Sequence, residues 1–205
     1  MRREHSRPHF RMCRVLLFFI PALLAFGAAG PLARAAAPAS GQVSAEPARP
    51  WAILAPAAAD ILGIPHARLA EEGVLLAGQP SEAELETLAW VGFRTVLDLR
   101  LAEEERGFDE AAAARLYGML YLNLPVTTPS LTGELVESFV TTLARAERPV
   151  LVHCGSANRA AGLYAAYLVR EGGLPVEAAL DRGYELGLRS PELAERLSTL
   201  LATGP

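Results

Sequence analysis

From Trp51 onward, short apolar runs alternate with amphipathic stretches, the pattern of β and α units following one another in a layered α/β fold. Gly73 to Ala77 (GVLLA) reads as a first strand. The turn Gly78-Gln79-Pro80 follows, then a helix opened by Ser81 with Glu84 three residues on, the spacing of a capping box, and closed near Gly92. Arg94 to Leu99 (RTVLDL) is β-branched and apolar enough for a buried strand, and a helix of about ten residues leads from it to Gly118. Leu120 to Val126 predicts another strand, Thr132 caps a longer helix reaching Arg145, and Pro149 to His153 (PVLVH) is a compact apolar strand. Ala160 to Val169 is apolar nearly all round with Gly162 inside it, which predicts a central, closely packed helix. Two further helices, Val176 to Leu186 and Pro191 to Leu201, complete the pattern. Together these predict one α/β domain over 51–205 with a mainly parallel central sheet flanked by helices.

The N-terminal third reads differently. Arg2, Arg3, Arg7, Arg11 and Arg14 precede an apolar run from Val15 to about Gly30, and Ala33-Arg34-Ala35 has the small-x-small form of a cleavage site. Residues 1–35 are therefore expected to be a signal peptide, and the protein to be periplasmic or secreted. Pro21 interrupts the run, which is shorter than the roughly 20 residues a spanning helix needs, so no stable membrane insertion is expected after cleavage. Cys13 lies ahead of the run and cannot become a lipidated first residue. Residues 36–50, rich in Ala, Pro, Ser and Gly, are expected to form a flexible leader.

Removing that signal leaves 13 basic and 22 acidic residues, a net charge of −9, which argues against nucleic acid or an anionic membrane as partner. It also leaves a single cysteine, Cys154, and two histidines, His66 and His153. One cysteine cannot close an internal disulfide, and a zinc site built from Cys and His ligands is not expected. No cofactor motif is visible.

The chemistry concentrates where PVLVH meets the central helix: His153-Cys154-Gly155-Ser156-Ala157-Asn158-Arg159. A lone cysteine at a strand end often serves only as a small hydrophobe. Here a loop of small residues can turn backbone amides onto one point. The helix N-terminus adds unpaired N–H groups and a positive dipole end, favouring both an oxyanion and a thiolate. Arg159 adds a planar fork for oxyanions, and a cysteine so placed can be nucleophilic at neutral pH. His153, Ser156 and Asn158 are expected to order the loop by hydrogen bonds. Asp98 and Arg100 follow the RTVLDL strand to the carboxyl edge of the sheet, where Arg100 either holds a substrate anion or forms a supporting ion pair with Asp98. Gln79 and Pro80 shape a turn, and Glu103-Glu104-Glu105 reads as a solvated loop face.

This constellation, with LAGQPSEAELETL, GFRTVLDLR and YLNLPV, resembles the protein-tyrosine-phosphatase-like superfamily, and most closely its bacterial beta-lactamase-hydrolase-like, phosphatase-like domain, over about residues 65–200. The resemblance implies a phosphatase or a sulfur transferase acting on a small anionic or phosphorylated molecule. Cys154 would be the nucleophile, Arg159 the oxyanion clamp, and Gly155, Ser156, Ala157 and Asn158 the source of backbone amides.

Several residues depart from the superfamily pattern. Four residues rather than five separate Cys154 from Arg159, the shorter spacing of rhodanese-type sulfurtransferases. Thr127 and Thr128 stand where an aspartate would protonate the leaving oxygen, with Glu134, Glu137 and Asp109 as substitutes. Ala160 replaces a hydroxyl. Ala157 replaces a glycine at mid-loop, at a cost of about 1 kcal/mol if that position needs positive φ. Three readings follow: a cysteine-dependent phosphatase, a sulfurtransferase forming a Cys154 persulfide, and a non-catalytic oxyanion-binding protein.

Overall fold

In a computed structural model of the protein, residues 63–70 and 73–203 are described. The expected signal peptide, leader and first part of the domain lie outside them.

Three strands form the middle of the molecule: β2 (Val74–Ala77), β3 (Thr95–Asp98) and β5 (Val150–His153), each buried at every position. Continuous apolar runs take this place because both faces of a parallel sheet are covered by helices. At the two edges stand β1 (Arg68–Leu69) and β4 (Leu120–Asn123), with more exposed patterns. The order is β1-β2-β5-β3-β4, with β1 antiparallel and the other pairings parallel. The two-residue β1 has no counterpart in the sequence expectations. The other strands fall inside their expected ranges but are shorter, most of all β4, which ends at Asn123 rather than Val126.

Among the described residues, three helices connect the strands and three follow β5. The Ser81 hydroxyl accepts the Glu84 amide and the Glu84 carboxylate accepts the Ser81 amide, so both halves of the capping box open α1 (Glu82–Trp90). Asp109 caps α2 (Glu110–Leu116), Thr132 caps α3 (Gly133–Arg145), and Ser190 caps α6 (Pro191–Ala202) with Pro191 in its first turn. The nearly all-apolar stretch becomes α4 (Asn158–Arg170), packed between α3, α5 (Val176–Leu186) and α6. Gly162 faces α6 so closely that a Cβ there would lie 3.0 Å from Leu193.

The cores on the two faces of the sheet place the site. Leu85 and Leu88 of α1 and Ala113 and Ala114 of α2 pack on one face, whereas α3, α4, α5 and α6 pack on the other. The chain therefore leaves β2 and β3 toward one face and leaves β5, lying between them, toward the opposite face. Diverging connections open a crevice beyond the carboxyl end of β5, as at the switch point of other α/β sheets.

Candidate functional site

β5 delivers His153 and Cys154 into that crevice. The Cys154 amide donates to the Ala77 carbonyl (3.3 Å), and Gly78 bridges to Ser156, tying the loop to the end of β2. Gly78 permits this approach: a Cβ there would lie 2.9 Å from the Pro65 carbonyl oxygen and 3.2 Å from that of Gly155. The loop closes at Ala157, whose φ of 65° puts an L-residue in the left-handed region directly before α4. Ala157 thus takes the conformation for which a glycine was expected, and no side chain caps α4. The Asn158 side chain binds the turn after α5 rather than the loop's own backbone: Oδ1 accepts the amides of Arg189 (2.6 Å) and Ser190 (3.0 Å).

Arg159 lies in the first turn of α4, with Nη2 3.9 Å from a Cβ built on Gly155 of the loop. Its Nη1 and Nη2 each donate to one oxygen of Glu104 at 2.6 Å, and Nη1 also donates to the Val126 carbonyl (3.0 Å). Glu104 accepts the Leu101 amide as well (2.9 Å), and its Oε2 would lie 3.8 Å from a Cβ built on Gly155. The hydrogen bond from Arg159 is the chief reason that the Glu104 carboxyl is held below its ordinary range, against the opposing effect of burial. Reciprocally, the hydrogen bond to Glu104 is the chief reason that the guanidinium is held above its ordinary range, against the opposing effect of burial. This corrects the expectation of a wholly solvated acidic run: Glu103 and Glu105 are exposed, but Glu104 folds inward onto Arg159.

Beneath the loop lies a buried charged cluster. The sheet register sets Asp98 beside His153, and Arg100 returns to donate Nε and Nη2 to the two Asp98 oxygens (2.9 and 3.0 Å). Arg100 Nη2 also pairs with Glu110, whose other oxygen is 2.9 Å from His153 Nε2. Arg106 (3.2 Å) and the Tyr121 hydroxyl (2.8 Å) donate to Asp98 Oδ2. Burial alone would raise the Asp98 carboxyl; hydrogen bonds from Arg100, the nearby His153 and the bond from Tyr121 outweigh it and hold it at about 2, from 3.8. Tyr121 is pushed up, by burial first and by Asp98 next. Arg100 is only 1% exposed, with its fork facing two carboxylates. Of the two roles open to Arg100, this favours the supporting ion pair with Asp98 over a substrate contact: Arg100 is the centre of the cluster. One ligand atom each from Asp98, Glu110 and His153 lie within 4.8 Å of one another, a spacing that also suits a cation, but Arg100 and Arg106 already supply the compensating positive charge.

Of the three substitutes for the missing aspartate, two are committed elsewhere. Asp109 accepts the Ala112 amide as the α2 cap (2.9 Å), and Glu137 pairs with Arg170 (2.7 Å). Glu134 remains exposed in the first turn of α3, at the sheet edge that carries Cys154. Thr127 is bonded to Ser130. Beside the loop an open groove of about 570 Å³ is lined by residues including Pro65, Gln79, Ser81, Arg106 and Phe108.

Sequence reasoning missed Glu104, Arg106, Glu110 and Tyr121 around this site. The available signal was the dense charge of Arg100-Leu101-Ala102-Glu103-Glu104-Glu105-Arg106 directly after a buried strand, at the edge where ligands bind.

A mainly parallel sheet with a cysteine-to-arginine loop between its central strand and a buried helix defines a protein-tyrosine-phosphatase-like domain. More particularly, residues 67–168 match the family described as beta-lactamase hydrolase-like protein, phosphatase-like domain, and the chain belongs to that family through this domain. The beta-lactamase hydrolase-like protein of Xylella fastidiosa (strain Temecula1) is 38% identical over 124 residues, 57% of this chain and 29% of that protein. The protein of the same description from Agrobacterium fabrum (strain C58) is 36% identical over 97 residues, 45% of this chain and 22% of that protein. The chain thus spans less than a third of the length of these relatives. Among solved structures, a DUF442 candidate phosphatase of Shewanella putrefaciens CN-32 superposes with a TM-score of 0.59 at 25% identity, covering 70% of this chain and 96% of that one. Tk-PTP in its active form gives a TM-score of 0.58 at 21% identity over 67% and 97% of the two chains, a likeness of fold.

Proposed function

We propose that this chain is an exported, cysteine-dependent phosphatase acting on a phosphate ester. The observation that carries this reading is the placement of Arg159 in the first turn of an uncapped helix directly after the Cys154 loop, with Nη2 3.9 Å from a Cβ built on Gly155, in a domain whose relatives are phosphatase-like. The Cys154 thiolate attacks phosphorus, the P–O ester bond breaks, and the leaving oxygen takes a proton from a group at the crevice, for which exposed Glu134 is the candidate. Arg159 and the loop amides stabilise the charge on the equatorial oxygens. Water then attacks phosphorus, the S–P bond breaks, and inorganic phosphate leaves with the thiolate restored. The groove past Gln79 and Phe108 offers space for the leaving group. Export rests on the basic and apolar pattern of residues 1–35, and accords with the absence of a second cysteine after them.

The four-residue spacing from Cys154 to Arg159 favours a second reading, sulfur transfer: the thiolate takes the outer sulfur of thiosulfate, the S–S bond breaks, and sulfite leaves behind a persulfide. Incubating wild-type and Cys154→Ser protein with an activated aryl phosphate, and separately with thiosulfate, tests both. Phosphate release that falls on the order of a thousandfold in the variant is the expected result. Equal rates in the two proteins would overturn the phosphatase reading, and a persulfide mass on Cys154 without phosphate release would replace it with sulfur transfer.

A further inference from the structure

We propose that Arg189, in the turn between α5 and α6, binds a second anionic group of the substrate, which is then a small phosphate ester bearing another phosphate or a carboxylate close to the scissile one. The inference deepens the reading of the Cys154 loop as an oxyanion site and rests on it.

Arg189 is exposed and stands at the rim of that loop, where its Nη2 donates to the Ser156 carbonyl at 2.6 Å. Its position is fixed from two sides. The Arg189 and Ser190 amides are both held by Asn158 Oδ1, next to Arg159, and the turn is anchored from below by buried Leu188, whose amide donates to the Gly183 carbonyl (2.8 Å). The guanidinium is therefore tied to the loop at Ser156, on a backbone that is itself anchored.

Charge then separates Arg189 from its neighbours. Arg100, Arg106, Arg159, Arg170 and Arg182 each face a carboxylate, and the charge of Arg159 is matched by Glu104. Among the described residues no carboxylate lies within ion-pair distance of Arg189, so the unmatched positive charge at this rim is its own. A single neutral donor would satisfy the Ser156 carbonyl. A guanidinium has five N–H donors in a planar fork, and with one of them spent on Ser156 it retains the bidentate geometry that suits phosphate or carboxylate. Ser156 is only two residues past the nucleophile, so the residue that Arg189 holds has its Cα within about two Cα steps, ~8 Å, of that of Cys154. A second acidic group a few bonds from the first spans such a gap.

The test is calorimetric titration of full-length Cys154→Ser protein with inorganic phosphate and with pyrophosphate, repeated after adding Arg189→Gln, whose amide keeps a donor for Ser156. Pyrophosphate is expected to bind about tenfold more tightly than phosphate, and Arg189→Gln to erase that preference while leaving phosphate affinity within about twofold. A preference that survives the substitution, an equal loss for both anions, or no binding of either would overturn the proposal; an equal loss would make Arg189 a brace for the loop. Phosphate release by the Cys154 protein is measured in parallel. An Arg189-dependent preference without release would sink the phosphatase reading alone, and release without the preference would sink only the role of Arg189.

Discussion

Glu104→Gln isolates what the carboxylate on Arg159 does, because it keeps the shape of the side chain and removes its charge. The pair is bidentate at 2.6 Å, with side-chain exposures of 18% for Arg159 and 32% for Glu104. Unit charges ~4 Å apart attract by about 1 kcal/mol in water and about 4 kcal/mol at the effective dielectric near a protein surface, while measured partly exposed pairs contribute about 1 kcal/mol. A loss of about 1 to 1.5 kcal/mol in the orientation of Arg159 corresponds to about a tenfold fall in kcat/KM. The opposite expectation is equally definite: if Glu104 merely covered Arg159, removing its charge would admit the phosphate dianion more readily and lower KM. The bonds to Leu101 and Val126 favour orientation, since they fix the carboxylate and guanidinium independently of each other. Steady-state kinetics on an activated aryl phosphate should show the tenfold loss mainly in kcat, with exposed Glu103→Gln unchanged. A kcat/KM that rises, or stays within twofold of wild type, would refute the orienting role. Because Glu104 is held below the ordinary carboxyl range, its pairing is present above pH 4.5 and is lost only as pH falls through the lowered value, so Glu104 should add no step to the rate profile between pH 5 and 8.

The buried cluster predicts an acid-sensitive stability. Asp98 titrates at about 2 in the folded protein against 3.8, a depressed value, so its contribution of about 2 kcal/mol is present above pH 3.8 and lost as pH falls toward 2. Urea unfolding from pH 5 to pH 2 should show that slope, and Asp98→Asn should flatten it; an unchanged slope would contradict the ion-pair account. At mid-loop, Ala157→Gly relieves a left-handed residue by ~1–2 kcal/mol but adds backbone entropy of ~0.5–1 kcal/mol and removes a buried methyl of ~0.8 kcal/mol. The three nearly cancel, so the variant should match wild type within about 1 kcal/mol in denaturant unfolding, and a destabilisation above ~2 kcal/mol would show that the methyl group against Gly187 matters more than φ.

The sequence by itself determined the strand, loop and helix that bring Cys154 and Arg159 together, because every cue for them is local. An apolar PVLVH run must be buried, Ser81 and Thr132 find their capping partners within three residues, and Ala157 follows the loop into the left-handed region. The partners of the charged groups were decided only by the tertiary structure. Glu104 meets Arg159 across 55 residues, Arg189 meets Ser156 across 33, and Asp98, Glu110 and His153 converge from three separate elements. A glutamate or arginine in a polar stretch has the same sequence signature whether it ends in water or on a counter-ion. For that reason the sequence left Arg100 open between a substrate contact and the buried ion pair it forms, and placed Glu104 in solvent when it turns onto Arg159. Strand order drew the line between them: inserting β5 between β2 and β3 sends its following helix to the opposite face, and the crevice this opens, with the charges gathered at its rim, exists only once the sheet is assembled.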